Sequence, residues 1–161
     1  MRTEVRSSRP LLERSSTFWF AALLVVLLFS VTNLPWTLDD YDQAKQAFTS
    51  FEMIHEGHWL YQHTPNEKIA TKPPLVGWIS AAVYAISRSW ETAWRLPSLA
   101  AAVLLLVVLT RAATSAYGAT AGLVAMSAFG FNLLSPRLAT LVRTDIPLAL
   151  VIFLLGLQSW N

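Results

Sequence analysis

Cysteine is absent from the 161 residues, which excludes a disulfide framework, a thiolate metal site and a thiol nucleophile. Charge is nearly as scarce. Charged residues make up 14% of the chain, where a soluble domain carries about 25%. No internal repeat or low-complexity tract is evident. No basic face continues beyond the N-terminal tail, so nucleic acid is excluded as a partner. Apolar length stands where charge is missing: hydrophobic residues reach 54% and the mean hydropathy is +0.44. This is the composition of an integral membrane protein.

The net charge of +2 comes largely from Arg2, Arg6, Arg9 and Arg14. Ahead of an apolar run these read as a cytoplasmic tail, residues 1–17, under the positive-inside preference. The run from Phe18 to Leu34 is longer than the roughly 7–15-residue core of a signal peptide, and no A-x-A site follows it. An uncleaved first span over 18–34 is therefore expected, with the N-terminus inside. Further spans are expected over 96–113, 117–134 and 146–160. Residues 35–95 then form an elaborated outer loop. The apolar stretch Leu75–Ser87 is short for a span and is placed at the outer interface, with Arg88, Glu91 and Arg95 outside. Gly118 and Gly122 make a small-xxx-small pair of the kind that lets helices approach closely, onto neighbours or a partner. The fold class this predicts is an all-α, polytopic transmembrane helix bundle with amphipathic juxtamembrane helices in the first outer loop.

The polar stretch of that loop, 35–73, holds the acids Asp39, Asp40, Asp42, Glu52, Glu56 and Glu67 against three lysines. From Asp42 to Glu56, the residues Ala44, Ala47, Phe48, Phe51 and Ile54 recur at helical period. Asp39 or Asp40 can cap this helix and Gly57 can end it. Its apolar stripe is expected on the membrane surface or against other helices, with the carboxylates and Lys45 facing water. Trp36, Trp59, Tyr61 and Trp78 suit an interfacial aromatic belt.

Five short motifs follow in order: Asp42 at the head of the amphipathic helix, Gly57-His58-Trp59, Lys72-Pro73-Pro74-Leu75-Val76-Gly77-Trp78, Ala93-Trp94-Arg95-Leu96-Pro97-Ser98, and Arg143-Thr144-Asp145. In this order, from about Asp39 to Gly156, the chain resembles the N-terminal part of the GT-C glycosyltransferases. The branch concerned contains the lipid A aminoarabinose transferases and the protein O-mannosyltransferases. The resemblance implies a membrane enzyme, placed in a bacterial inner membrane. It implies transfer of a sugar from a polyprenyl-phosphate donor to a lipid or protein acceptor on the outer face, among membrane lipids.

The resemblance also implies roles. Asp42 is the catalytic carboxylate that takes the acceptor's proton. Lys72 and Arg143 meet the donor phosphate, one as a point charge and the other as a fork. Asp145 orients the acceptor, or holds a divalent metal ion if the site uses one. Plainer readings stand beside these. Asp42 and Asp145 are also helix first-turn acids, worth about 0.3–1 kcal/mol each, and Lys72 can snorkel to headgroups. His55, His58, His63 and Glu52 have metal-like spacing, but Gly57 should end the helix between them, and surface histidines are expected. Two places where the family commonly carries acids hold Gln43 and Thr71. The family has around a dozen spans, so the four seen here are read as the N-terminal part of a transferase. The rival reading is a non-catalytic remnant, or a subunit docking through Gly118 and Gly122.

Overall fold

The computed structural model describes residues 15–34, 37–38, 40–64, 66, 68–70 and 72–160. Arg2, Arg6, Arg9 and Arg14, Trp36, Asp39, Glu67 and Thr71 lie outside the described residues. Among the described residues seven helices follow one another: α1 (Ser15–Val31), α2 (Tyr41–His55), α3 (Leu75–Ser87), α4 (Trp90–Tyr117), α5 (Ala119–Phe131), α6 (Ser135–Ala139) and α7 (Asp145–Trp160). The only β pairing among the described residues is an isolated bridge between His63 and Ile69.

Local chemistry accounts for the breaks. Asp40 caps α2 by accepting the N–H of Asp42 at 3.2 Å, and Gly57 follows the helix at φ +76°, a left-handed value that suits glycine. Pro73 and Pro74 stand ahead of α3, where a missing N–H costs nothing. Ser89 caps α4 through the N–H of Thr92, so this helix begins well before the span expected from residue 96. It continues through Pro97, with buried Ala93, Arg95 and Ser98 holding it on either side.

The expected span over 117–134 is also corrected. Asn132 donates to the carbonyls of Ala128 and Phe129 and accepts the N–H groups of Leu134 and Ser135. These bonds end α5 at Phe131 and turn the chain into α6. α5 therefore has 13 residues, about 20 Å at the α-helical rise, short of a hydrocarbon core of about 30 Å. Among the described residues α4, with 28 residues, is the one helix long and apolar enough to cross a membrane. Four shorter apolar helices accompany it: α1, α3, α5 and α7.

α4 is the central element and packs against α3, α5, α6 and α7. The core gathers Val25 and Phe29 of α1, Ala102, Leu105 and Leu106 of α4, Leu123 and Met126 of α5, and Ile146 of α7. Gly118 makes the α4–α5 turn at φ +91°, and a Cβ at Gly122 would collide with the Thr114 hydroxyl of α4. The small-residue pair therefore closes a hairpin within the chain. That corrects the expectation of a docking face for a partner at this place. α1 and α7 leave many large apolar side chains exposed, among them Trp19, Phe20, Leu23, Ile152 and Leu155.

α2 departs from expectation in a different way. Of its apolar stripe, Ala47 is buried, while the face turned inward is largely polar: Gln43, Gln46, Thr49, Ser50 and Glu52, with Met53. The inward polar atoms find partners, since Gln43 Oε1 accepts the Val142 N–H and Ser50 Oγ accepts Trp94 Nε1–H. Phe51 stays outward, stacks with His55 and meets Trp90 at a tilt of 47°, and Trp90 stacks on Tyr84 and Trp94.

Candidate active site

Three separate segments meet at one end of the helices: the start of α2, the Lys72-Pro73-Pro74 turn, and the α6–α7 connection. Asp42 and Lys72 line a single recess together with Lys45, Gln46, Thr49, Gln62, Ala70, Pro73 and Pro74. Arg143 reaches the same place from the other side. Its Nη2 donates to Asp40 Oδ2 at 2.5 Å and lies 3.5 Å from Asp42 Oδ2. The Asp40 carboxyl is held below the usual carboxylate range, first by the Asp42 N–H and then by Arg143. Asp42 is 54% exposed, so one edge of this pair remains open to a ligand.

The sequence reading missed the parts that hold the segments together. Arg95 is 2% exposed rather than in outer solvent. Its guanidinium donates to the carbonyl of Thr140 at 2.8 Å and to that of Thr37 at 3.3 Å. Ser98, three residues on and nearly a turn along the same helix, donates to the carbonyl of Arg143. Asn33, just past α1, donates to the Arg137 carbonyl and to Thr140 Oγ1, each at 2.7 Å. The Ala93–Ser98 motif is thus the footing of the Arg143–Asp145 motif. Gln43, in the place of a common family acid, docks the same connection through Val142. Asp40, expected only as a cap, is also an ion-pair partner. Asp145 sits exposed in the first turn of α7 and is not among the residues lining the recess.

A second polar cluster lies further along α2. Glu52 is 2% exposed, and its Oε1 meets His63 Nδ1 at 2.7 Å and His58 Nδ1 at 2.9 Å. Its Oε2 accepts the backbone N–H of His63 at 2.5 Å. Burial pushes this carboxyl up, but the bonds from His58 and His63 outweigh burial and leave it below the ordinary glutamate range. Surface histidines were expected here. His55 fits that description, stacked on Phe51, while His58 and His63, 31% and 35% exposed, turn Nδ1 to the buried Glu52 carboxylate. Gly57 does end the helix as expected. The chain then returns, with Thr64 N–H bonding to the Lys68 carbonyl and Ala70 N–H to that of Gln62.

Beyond the recess lies an apolar cleft of about 540 Å³ between α3, α4 and α7, bounded by residues such as Ile79, Pro97, Leu104, Pro147 and Val151. Pro73 belongs to the walls of both recess and cleft, and Thr144 lines the cleft between Arg143 and Asp145.

The model of one protein family, described as dolichyl-phosphate-mannose-protein mannosyltransferase, matches residues 71–158. No curated protein and no solved structure matches the chain. The matched segment contains Lys72, Arg95, Arg143 and Asp145, while Asp42 and Glu52 precede it. It covers more than half of the 161 residues, and the chain belongs to the dolichyl-phosphate-mannose-protein mannosyltransferase family, membrane glycosyltransferases of GT-C type.

Proposed function

We propose that the chain carries the donor-phosphate and acceptor-activating groups of a membrane glycosyltransferase that uses a polyprenyl-phosphate-linked sugar. The observation that carries this reading is the shared recess of Asp42 and Lys72, with Arg143 on its flank and an apolar cleft adjoining it at Pro73. Asp42 takes the proton from an acceptor hydroxyl. The freed oxygen attacks the anomeric carbon, and the bond from that carbon to the phosphate oxygen breaks. The polyprenyl phosphate leaves with the bonding electrons, and Lys72 stabilises its growing negative charge. The cleft accommodates the first isoprenyl units, whose apolar surface matches its lining.

Arg143 has two jobs in this scheme. It orients Asp42 and Asp40, and it offers positive charge to the leaving phosphate as those contacts loosen. Asp145 orients the acceptor from the head of α7. Among the described residues the carboxylate–imidazole group close enough to hold an ion is the one at Glu52, and Asp145 is not part of it. The helices form a polytopic bundle, with α1, the α5–α6 pair and α7 crossing beside α4 and the recess on the outer face of a bacterial inner membrane. The tail before α1 lies in the cytoplasm.

The test is transfer of radiolabelled mannose, or another sugar, from polyprenyl phosphate by the native protein extracted from its own membranes. Its intact mass is measured on the same sample. Asp42→Asn and Lys72→Ala should each abolish most of the transfer while membrane insertion is unchanged. Wild-type transfer rates in both variants would overturn the assignment.

A further inference from the structure

We propose that Glu52, His58 and His63 form a binding site for a divalent transition-metal ion of the zinc class, which clamps the loop after α2. The three donor atoms lie within 4.8 Å of one another. Two imidazole nitrogens with one carboxylate oxygen suit Zn²⁺, and three protein ligands leave a fourth position for water. Glu56 borders that position, its Oε2 lying 3.6 Å from His58 Nδ1.

The arrangement is prepared for an ion in two respects. Glu52 is a buried carboxylate whose second oxygen is already fixed by the His63 backbone N–H, the kind of outer bond that orients a ligating carboxylate. Both rings present the same atom, Nδ1, to the same oxygen. An entering ion replaces two N–H···O bonds by three coordinate bonds. The nitrogens need only move out from 2.7 and 2.9 Å to the ligand–ligand spacing of a tetrahedral zinc, about 3.3 Å for bonds of about 2.0–2.1 Å. Both imidazoles are neutral in that state, with the proton on Nε2.

The clamp has a structural consequence. Gln62, next to His63, lines the recess of Asp42 and Lys72, and its carbonyl accepts the Ala70 N–H on the arm that leads to Lys72. The ion therefore fixes the loop that delivers Lys72, without touching the reacting atoms. None of this depends on the transferase reading.

The experiment uses the detergent-purified full chain, stripped with a chelator and dialysed against Zn²⁺ alone. Bound metal is counted by elemental mass spectrometry, and Co²⁺ is substituted as a spectroscopic probe. His58→Asn and His63→Asn keep an N–H donor toward Glu52, so the polar contacts survive while a ligand is lost. Wild type should bind one equivalent and give the intense visible bands of four-coordinate Co²⁺. Each Asn variant should bind at least about 100-fold more weakly with an unchanged metal-free melting temperature. Zn²⁺ should also slow amide exchange across 58–70 in wild type alone. Absence of stoichiometric metal in wild type, or equal binding by both variants, would overturn the proposal. Should a variant fail to fold, the Co²⁺ spectrum of wild type decides alone: weak six-coordinate bands sink the site.

Discussion

Asp42 and Glu52 stand on the same helix, about 15 Å apart along its axis, and differ in nearly every physical respect. Asp42 is half exposed, and it shares Arg143 with Asp40, which is 46% exposed. Ion pairs of that kind are weak and exchange readily with solvent or a ligand. Glu52 is sealed from water, and its two oxygens take three N–H groups from His58 and His63. Losing such bonds is expensive, because the buried Glu52 carboxylate they leave behind has no water to turn to. The first cluster has the openness that the proposed transfer needs to admit a substrate, and the second has the bonding to hold a loop still. α2 can serve both because its inward face is polar along its length.

The sharpest break of that comparison is at Asp42. Asp42→Asn should lower the transfer rate by about 10²–10⁴-fold, the usual range for a general base, with thermal stability nearly unchanged. A parallel loss of stability would mean that Asp42 is a structural residue like Glu52, and the contrast would collapse. Next in size is Arg95, which underlies the Asp42 side alone. Arg95→Met removes bonds to two carbonyls and should cost about 3 kcal/mol, since bonds to charged groups are worth about 1.5–3 kcal/mol each. Chemical denaturation in mixed micelles reads this directly. Exchange should rise around Thr140, whose carbonyl loses its donor, and stay unchanged across 58–63.

Glu52 supplies the matching perturbation on the other side. Glu52→Ala should cost about 2–3 kcal/mol, because the His58 and His63 donors are stranded. Glu52→Gln, which keeps an acceptor, should cost less than half as much. Equal losses for the two substitutions would mean that the carboxylate charge, absent from both variants, holds the loop and a neutral acceptor cannot replace it. Exchange in the Arg143 segment should not respond to either change.

The two regions were also unequally legible in the sequence. Asp42, Lys72 and Arg143 stood out because they belong to short motifs in a fixed order. The limits of α2 were readable from Asp40 and Gly57, whose side-chain and backbone preferences act locally. Arg95 was visible in its motif, but a charged letter does not reveal that its partners are carbonyls at Thr37 and Thr140. The inward face of α2 was misjudged for a related reason. Hydropathy scores Gln43 and Ser50 as surface residues, and only the tertiary fold supplies Val142 N–H and Trp94 Nε1–H to satisfy them. At Glu52 the local signal pointed the wrong way. Gly57 correctly ended the helix, but the return of the chain at 62–70 brings His63 back beside His58, and nothing local specifies that return. The length of α5 likewise turned on the side-chain bonds made by Asn132.

The smallest expected effect concerns Asp40, and its sign separates the clusters once more. Its carboxyl titrates below the ordinary value of 3.8 in the folded chain. A group with a depressed native pKa stabilises the fold above its unfolded pKa, and the contribution fades as pH falls through the native value. The Arg143–Asp40 contact should therefore be unaffected between pH 7 and pH 5 and weaken only below about pH 4. Asp40→Asn should remove that acid-limb dependence while leaving stability at pH 7 almost unchanged, because an exposed pair contributes little. The Asn side chain still accepts the Asp42 N–H and preserves the cap, so any change reports the lost carboxylate charge, on the cap as well as on Arg143. Carboxyl NMR titration of wild type, with melting curves of both proteins from pH 3 to pH 7, measures this. A native value at or above 3.8 would show that Arg143 does not dwell on Asp40, freeing its charge for Asp42 and the incoming phosphate even before substrate binds.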